Sequence, residues 1–248
     1  RSTKCSTKYN NTRKMDLLEL YLYEYREYVK GVIDKFFDYL SLNFDDGIKL
    51  IKTYNKFPNK LIPLDSLHGK LSARSEKAAM TKAWQICKTK QLIKIGSQLY
   101  MIEQLKTQGK SYSNIIVDYN YTKPKIPDYL PCSLDTNNSN ISFNTNIKNY
   151  DIVITLCSLF DTEFKAHLKT QYEFNNKIVL VLKSHKRIKH LNKHGKLMSG
   201  ILLTEKDITL CFEINKKENK RKEKIGIDTG VKKLFSAYNS NGTSSFSN

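Results

Sequence analysis

From Asp16 to about Leu42 the apolar residues recur at spacings of three and four. Leu18, Tyr21, Leu22, Tyr25, Val29, Val32, Ile33, Phe36, Phe37 and Leu40 share one broad stripe, which predicts a long helix. The tyrosines of that helix, Tyr21, Tyr23, Tyr25 and Tyr28, read either as core or as a surface on which nucleotide bases stack. Phe44 to His68 carries Asp45-Asp46-Gly47, Phe57-Pro58-Asn59 and Ile62-Pro63, so it reads as a connection with turns. Ser72 or Ser75 is placed to cap a second long helix through Gln91 or beyond. Its packing side holds Ala78, Ala79, Ala83, Ile86 and Cys87, with Trp84 as anchor. Leu92, Ile93, Leu99, Ile102 and Leu105 extend that helix or begin a third.

After Gly109 the period shortens. Ile115–Val117, Tyr150–Leu156, Lys177–Leu182, Ile201–Leu203 and Ile208–Ile214 read as strands, and Thr204–Asp207 reads as the turn of a hairpin between the last two. Tyr121–Pro131 and Asp135–Asn140 read as exposed loops. Arg1–Lys14, with only Cys5 and Tyr9 among Ser, Thr, Asn and basic residues, reads as a disordered tail. The fold class expected is α+β: a tail over 1–14, a helical domain over 15–110, a β-rich domain with a small β-barrel over 111–222, and a fresh strand unit over 223–248.

Charge narrows the partner. The chain of 248 residues has 42 Lys plus Arg against 24 Asp plus Glu, a net charge of +18. A field of that sign attracts polyanions by counterion release, which makes nucleic acid the first expectation. Membrane surfaces compete for the same charge, but no stretch approaches the roughly 20 apolar residues of a spanning helix, and Arg1–Arg13 is polar rather than a signal peptide. A soluble, intracellular protein without a membrane partner is expected, nuclear if it acts on a eukaryotic genome and otherwise cytoplasmic. The five cysteines are far apart with no C-x-x-C pair, so zinc is not indicated. His185, His190 and His194 sit among lysines rather than beside carboxylates, which favours a basic face over a metal site.

Two basic runs stand out. Lys183–Lys196 holds six Lys or Arg, namely Lys183, Lys186, Arg187, Lys189, Lys193 and Lys196, and no acid. Mutual repulsion is costly there unless an anion is present, so nucleic-acid contact is favoured over a solvated loop. Lys216–Lys224 contains Lys217, Lys220, Arg221 and Lys222 together with two glutamates. It reads as a second contact, a linker or a nuclear-import patch. Arg74, Lys77, Lys82, Lys88 and Lys90 give the second helix a positive face, either solvated or on phosphate.

The remaining signal is Ile225-Gly226-Ile227-Asp228-Thr229-Gly230-Val231, with Leu234 and Phe235 following. A short apolar strand delivers one carboxylate to a Gly-containing bend. Asp-Thr-Gly suits turn chemistry by itself, so Asp228 reads as a turn residue or as a metal ligand. The pattern Ile-Gly-Ile-Asp-x-Gly-Val-x-x-Leu resembles the first acidic motif of RuvC-type nuclease domains in the TnpB, Fanzor and type V CRISPR effector group. The order of elements around it, including Leu71-Ser72-Ala73-Arg74 with Lys77-Ala78-Ala79 and the strand expected at Lys186-Arg187-Ile188-Lys189, is similar in character. Only the Asp228 motif is specific.

The resemblance implies a helical recognition segment with a wedge-type β-barrel, followed by the first strands of an RNase H-like (RuvC) domain. It implies an RNA-guided DNA endonuclease with guide RNA and target DNA as partners. It also implies catalysis by two Mg²⁺ ions held roughly 4 Å apart by carboxylates, Asp228 being the first ligand. The family's pattern needs a Glu and a second Asp from later strands, and neither can be assigned before Asn248, so an incomplete chain is expected. The alternative is a nuclease-inactive RNA- or DNA-binding protein or transposon-associated regulator, with Asp228 a turn residue.

Overall fold

A computed structural model describes residues 1–42, 50, 53–115, 123–147, 149–214, 225–228, 235–239 and 244–247. The chain divides into two compact units, Arg1–Phe212 and Glu213–Asn248. The helical and β-rich segments thus belong to one unit.

In the first unit α1 (Thr12–Leu42) opens at Asn11, whose side chain accepts the Lys14 backbone N–H at 3.1 Å. Its expected stripe is the core: Leu18, Tyr21, Tyr25, Val29, Val32, Ile33 and Phe36 are all buried. Three of the four tyrosines therefore belong to the interior, and Tyr23 alone is exposed, with the Arg26 guanidinium over its ring. The second helix, α2 (Ala73–Thr107), is continuous, and Ser72 caps it by accepting the Ser75 N–H at 3.2 Å. Trp84 is the anchor between them. Its ring meets Phe36 and Phe57 edge-on at 5.1 and 5.8 Å, and its N–H donates to the Tyr54 carbonyl at 3.1 Å. Gly31 lets a short 3-10 turn, Asp65–Leu67, approach α1, since a Cβ there would meet the Leu67 side chain at 2.8 Å.

Two antiparallel sheets accompany the helices. One has the order β1 (Ser2–Ser6), β7 (Asp207–Glu213), β6 (Lys196–Leu203) and β2 (Cys132–Leu134). The other has the order β3 (Ser139–Ile147), β4 (Tyr150–Cys157) and β5 (Lys177–Leu182). Alternation directs Ile208, Leu210 and Phe212 inward from β7, and Phe212 meets Phe143 of β3 at 6.5 Å. The hairpin turn falls where expected, with Thr204 exchanging backbone and hydroxyl bonds with Asp207 at 2.9 to 3.0 Å. Mixed α+β architecture holds, but among the described residues the strands form open sheets rather than a closed barrel.

The tail expectation is corrected at Arg1–Lys14. Residues Ser2–Ser6 form an edge strand on β7, with Thr3 opposite Leu210 and Cys5 opposite Ile208, and both side chains buried. The composition argument failed because this strand is tied by backbone bonds and buries only one side chain in two. The following turn is tied just as firmly. The Asn10 side-chain amide donates to Thr7 O at 2.8 Å and Val181 O at 3.2 Å, and its oxygen accepts Val181 N–H at 2.8 Å, so it extends the open edge of β5. Asn10→Ala should cost about 1–3 kcal/mol, because the β5 edge loses its partners. A urea midpoint that falls at constant slope would show it, and an unchanged midpoint would mean the turn is not anchored there.

Three further differences stand out. An unforeseen helix, α3 (Thr162–Tyr172), joins β4 to β5 and is capped by Asp161 accepting Glu163 N–H at 2.9 Å. Residues Lys186–His194 form α4 rather than a strand or loop. Of the strand expected at Ile115–Val117, Ile115 is irregular and the other two residues lie outside the described ones.

The second unit contains an antiparallel meander of β8 (Ile225–Asp228), β9 (Phe235–Asn239) and β10 (Ser244–Ser247), in the order β10-β9-β8. Asp228 is the last residue of β8 and lies opposite Ser236.

Candidate nucleic-acid interface

Helix α4 exists because Ile188 and Leu191, three apart, bury one narrow stripe. Everything else on it is turned outward: Lys186, Arg187, Lys189, His190, Lys193 and His194 are exposed. The first turn carries Lys186 and Arg187 and no acid, and the cap residue His185 makes no side-chain capping bond. Cations at that end oppose the helix dipole, so the arrangement is unfavourable until an anion arrives. None of the six Lys and Arg of the Lys183–Lys196 run forms an ion pair with a described residue. His185 is occupied structurally, its Nε2 donating to Lys4 O at 3.1 Å. His190 and His194 have ring centroids 4.6 Å apart.

The face continues beyond the helix. A cleft of about 300 Å³ is lined by Phe143, Asp151, Ile152, Ser184, Ile188, Lys189, Asn192 and Lys193. Ser184 donates a hydrogen bond to Asp151, and this bond, helped by the charges of Lys189 and Lys183, holds the Asp151 carboxyl below its ordinary range. Lys183, exposed at the end of β5, places its ammonium 4.8 Å from the Tyr9 ring centroid. Lys196 is exposed at the start of β6.

A second basic surface belongs to α2. Arg74, Lys77, Thr81, Lys82 and Gln85 line a cleft of about 620 Å³ whose other wall includes Ser133, Asn137, Asn138 and Gly200. Gly200, at φ +98°, is needed there, since a Cβ would stand 2.9 Å from the Leu134 carbonyl. Asp135 organises the facing loop by accepting the N–H groups of Asn137 and Asn138 at 2.9 and 3.2 Å. Of the other expected α2 cations, Lys88 donates to the Tyr54 carbonyl at 3.1 Å and so has a structural task.

Lys217, Lys220, Arg221 and Lys222 lie outside the described residues. Asp228 is placed by its backbone at the end of β8. Among the described residues no group of three or more His, Cys, Asp or Glu is disposed to hold a metal ion, and no helix is long and apolar enough to cross a membrane. The buried cysteines offer no nucleophile: burial pushes the Cys132 and Cys87 thiols up to about 12 and that of Cys5 up to about 11.

Sequence reasoning missed Tyr9, Lys8 and Tyr150 as members of this surface. A polar N-terminal stretch with one tyrosine gives no periodic signal, and β5 and β4 bring its neighbours from far along the chain. No family model and no curated protein matches this chain.

Proposed function

We propose that this chain is the amino-terminal part of an RNA-guided DNA endonuclease of the TnpB and Fanzor type. In this reading Arg1–Phe212 is the helical recognition and wedge-type part that holds RNA and paired DNA, and Ile225–Ser247 begins the RuvC-like nuclease domain. The supporting observation is local. The Ile-Gly-Ile-Asp motif is a strand within an antiparallel meander, and Asp228 is its final residue.

A hard carboxylate oxygen suits Mg²⁺, and Asp228 would be one of its ligands. Bound Mg²⁺ supplies an activated water and neutralises charge on the leaving oxygen. A single carboxylate cannot hold two ions, so further acidic ligands are required by this reading. What the present residues do is bind and orient the nucleic acid, while target choice rests with base pairing to the guide.

Sequencing the RNA that co-purifies with the protein is the first test, and a discrete structured species is expected. In a longer protein that supplies those further acidic ligands, DNA matched to that RNA should be cut in the presence of Mg²⁺. Asp228→Ala should abolish the cutting while leaving RNA affinity within about twofold, as expected for a residue that acts on the metal rather than on binding. Cutting that persists in the variant would refute the role of Asp228. The basic surfaces of the first unit, independent of any metal, favour one other reading, a nuclease-inactive nucleic-acid binder. Bound RNA of heterogeneous sequence without Mg²⁺-dependent cutting would select it.

A further inference from the structure

We infer that the turn between β1 and α1 carries a stacking site for an unpaired nucleotide, with Tyr9 as the platform and Lys8, Lys183 and the adjoining α4 cleft as its phosphate contacts. This inference rests on the nucleic-acid reading above and locates a subsite within it. Tyr9 is 37% exposed, although it stands in a turn whose neighbours are pinned on three sides. Thr7 binds the β6–β7 turn through Lys206 O at 3.0 Å and Glu205 O at 2.9 Å, and Asn10 pairs with both backbone groups of Val181. Tyr150 lies against the ring, with centroids 5.9 Å apart and planes tilted by 54°. The ring is therefore held in place before any ligand arrives, and little rotamer entropy remains to be lost on binding.

Two ammonium groups meet this one ring, Lys183 at 4.8 Å and Lys8 at 5.1 Å from its centroid. Neither forms an ion pair with a described residue. An exposed cation–π contact is weaker than the stack of a base on an aromatic ring, so an incoming base displaces a lysine from the ring face. The freed ammonium is then beside the nucleotide's own phosphate. From Lys183 the surface runs directly to Ser184 and into the cleft of about 300 Å³, where Lys189, Asn192 and Lys193 offer donors to the next phosphate and sugar. A base inside a duplex has both faces covered, so only a single strand or a flipped nucleotide can use the ring. An acidic peptide would satisfy the lysines and leave the tyrosine face without a purpose.

The test uses the full chain and single-stranded uridine and thymidine oligomers of about 12 nucleotides, within the span of one binding module, each with a central fluorescent adenine analogue. A duplex of equal length and a polyglutamate peptide serve as comparison probes. Tyr9→Ala should weaken single-strand binding roughly tenfold and abolish the stacking-induced quenching of the analogue, while duplex affinity moves by less than about twofold. Tyr9→Phe should retain both affinity and quenching. Equal losses on the two oligomers mark a site for either nucleic acid, and a loss on uridine alone assigns it to RNA. Unaltered affinity and quenching in Tyr9→Ala would overturn the inference while leaving the wider reading intact. A wild-type chain that binds neither strand would overturn that reading too. Polyglutamate binding that falls as much as oligomer binding in Tyr9→Ala would replace the nucleotide with an acidic peptide.

Discussion

Raising salt from about 50 to about 200 mM should weaken binding of this chain to single-stranded RNA several hundredfold. Each phosphate neutralised on a single strand adds about −0.7 to the slope of log affinity against log salt, so six contacts give a loss of roughly 300-fold across that range. Six is the number of Lys and Arg in the Lys183–Lys196 run. Lys186→Ala with Arg187→Ala should lower the slope magnitude by about 1.4 and weaken binding at about 100 mM salt by at least tenfold. The same pair should leave stability within about 0.5 kcal/mol, because both side chains are exposed and without an ion-pair partner among the described residues. A small gain is the expected sign, since the substitution removes two cations from the positive end of α4. Affinity indifferent to salt, or a double variant with the wild-type slope, would remove α4 from the interface.

That helix shows where sequence reading loses information. Its apolar content is Ile188 and Leu191, too few for a periodic signal amid so much charge, and the run was expected as a strand or a loop. The positive face itself was legible, because charge without acid needs no fold to be noticed. What the helix adds is direction: a side chain every 100° with Ile188 and Leu191 inward places the basic residues on the remaining arc. Helices α1 and α2 were legible for the opposite reason. Their stripes extend over many turns, and Ser72 supplies a start signal where the pattern begins.

The N-terminal strand was hidden by its chemistry. Thr3 and Cys5 alternate with exposed Ser2, Lys4 and Ser6, a period of two built from residues that ordinary hydrophobicity hardly distinguishes. Its edge position on β7 is a property of the assembled sheet, and so is the seating of Asn10 on β5. The aromatic platform depends on both, since Tyr9 meets Lys183 and Tyr150 only once β1, β4 and β5 are in place. The strand Ile225–Asp228 was legible because its pattern is short enough to be written entirely in neighbouring residues.

Trp84→Ala should destabilise the first unit by about 3–5 kcal/mol, the range for removing a large buried aromatic. Trp84 is 2% exposed, and it closes a cluster in which Phe36 comes from α1 and Phe57 from the connection between the helices. Its N–H and the Lys88 ammonium one turn on both donate to the Tyr54 carbonyl at 3.1 Å, so α2 holds that connection by two bonds to one acceptor. Removing the ring leaves a cavity and takes one of those bonds with it. For a chain of this size the loss corresponds to a fall in Tm of roughly 10 °C. Phe57→Ala should be less than additive with Trp84→Ala, because the two rings touch and each removal already forfeits their shared contact. Additive losses would mean that the rings do not support one another. The cluster is remote in role from phosphate contact, so Trp84→Ala should keep the wild-type salt slope at temperatures where the protein remains folded. The α4 double variant should do the reverse, losing slope and keeping Tm. If both variants lost binding and stability in parallel, the basic face would be acting through the fold rather than on the nucleic acid.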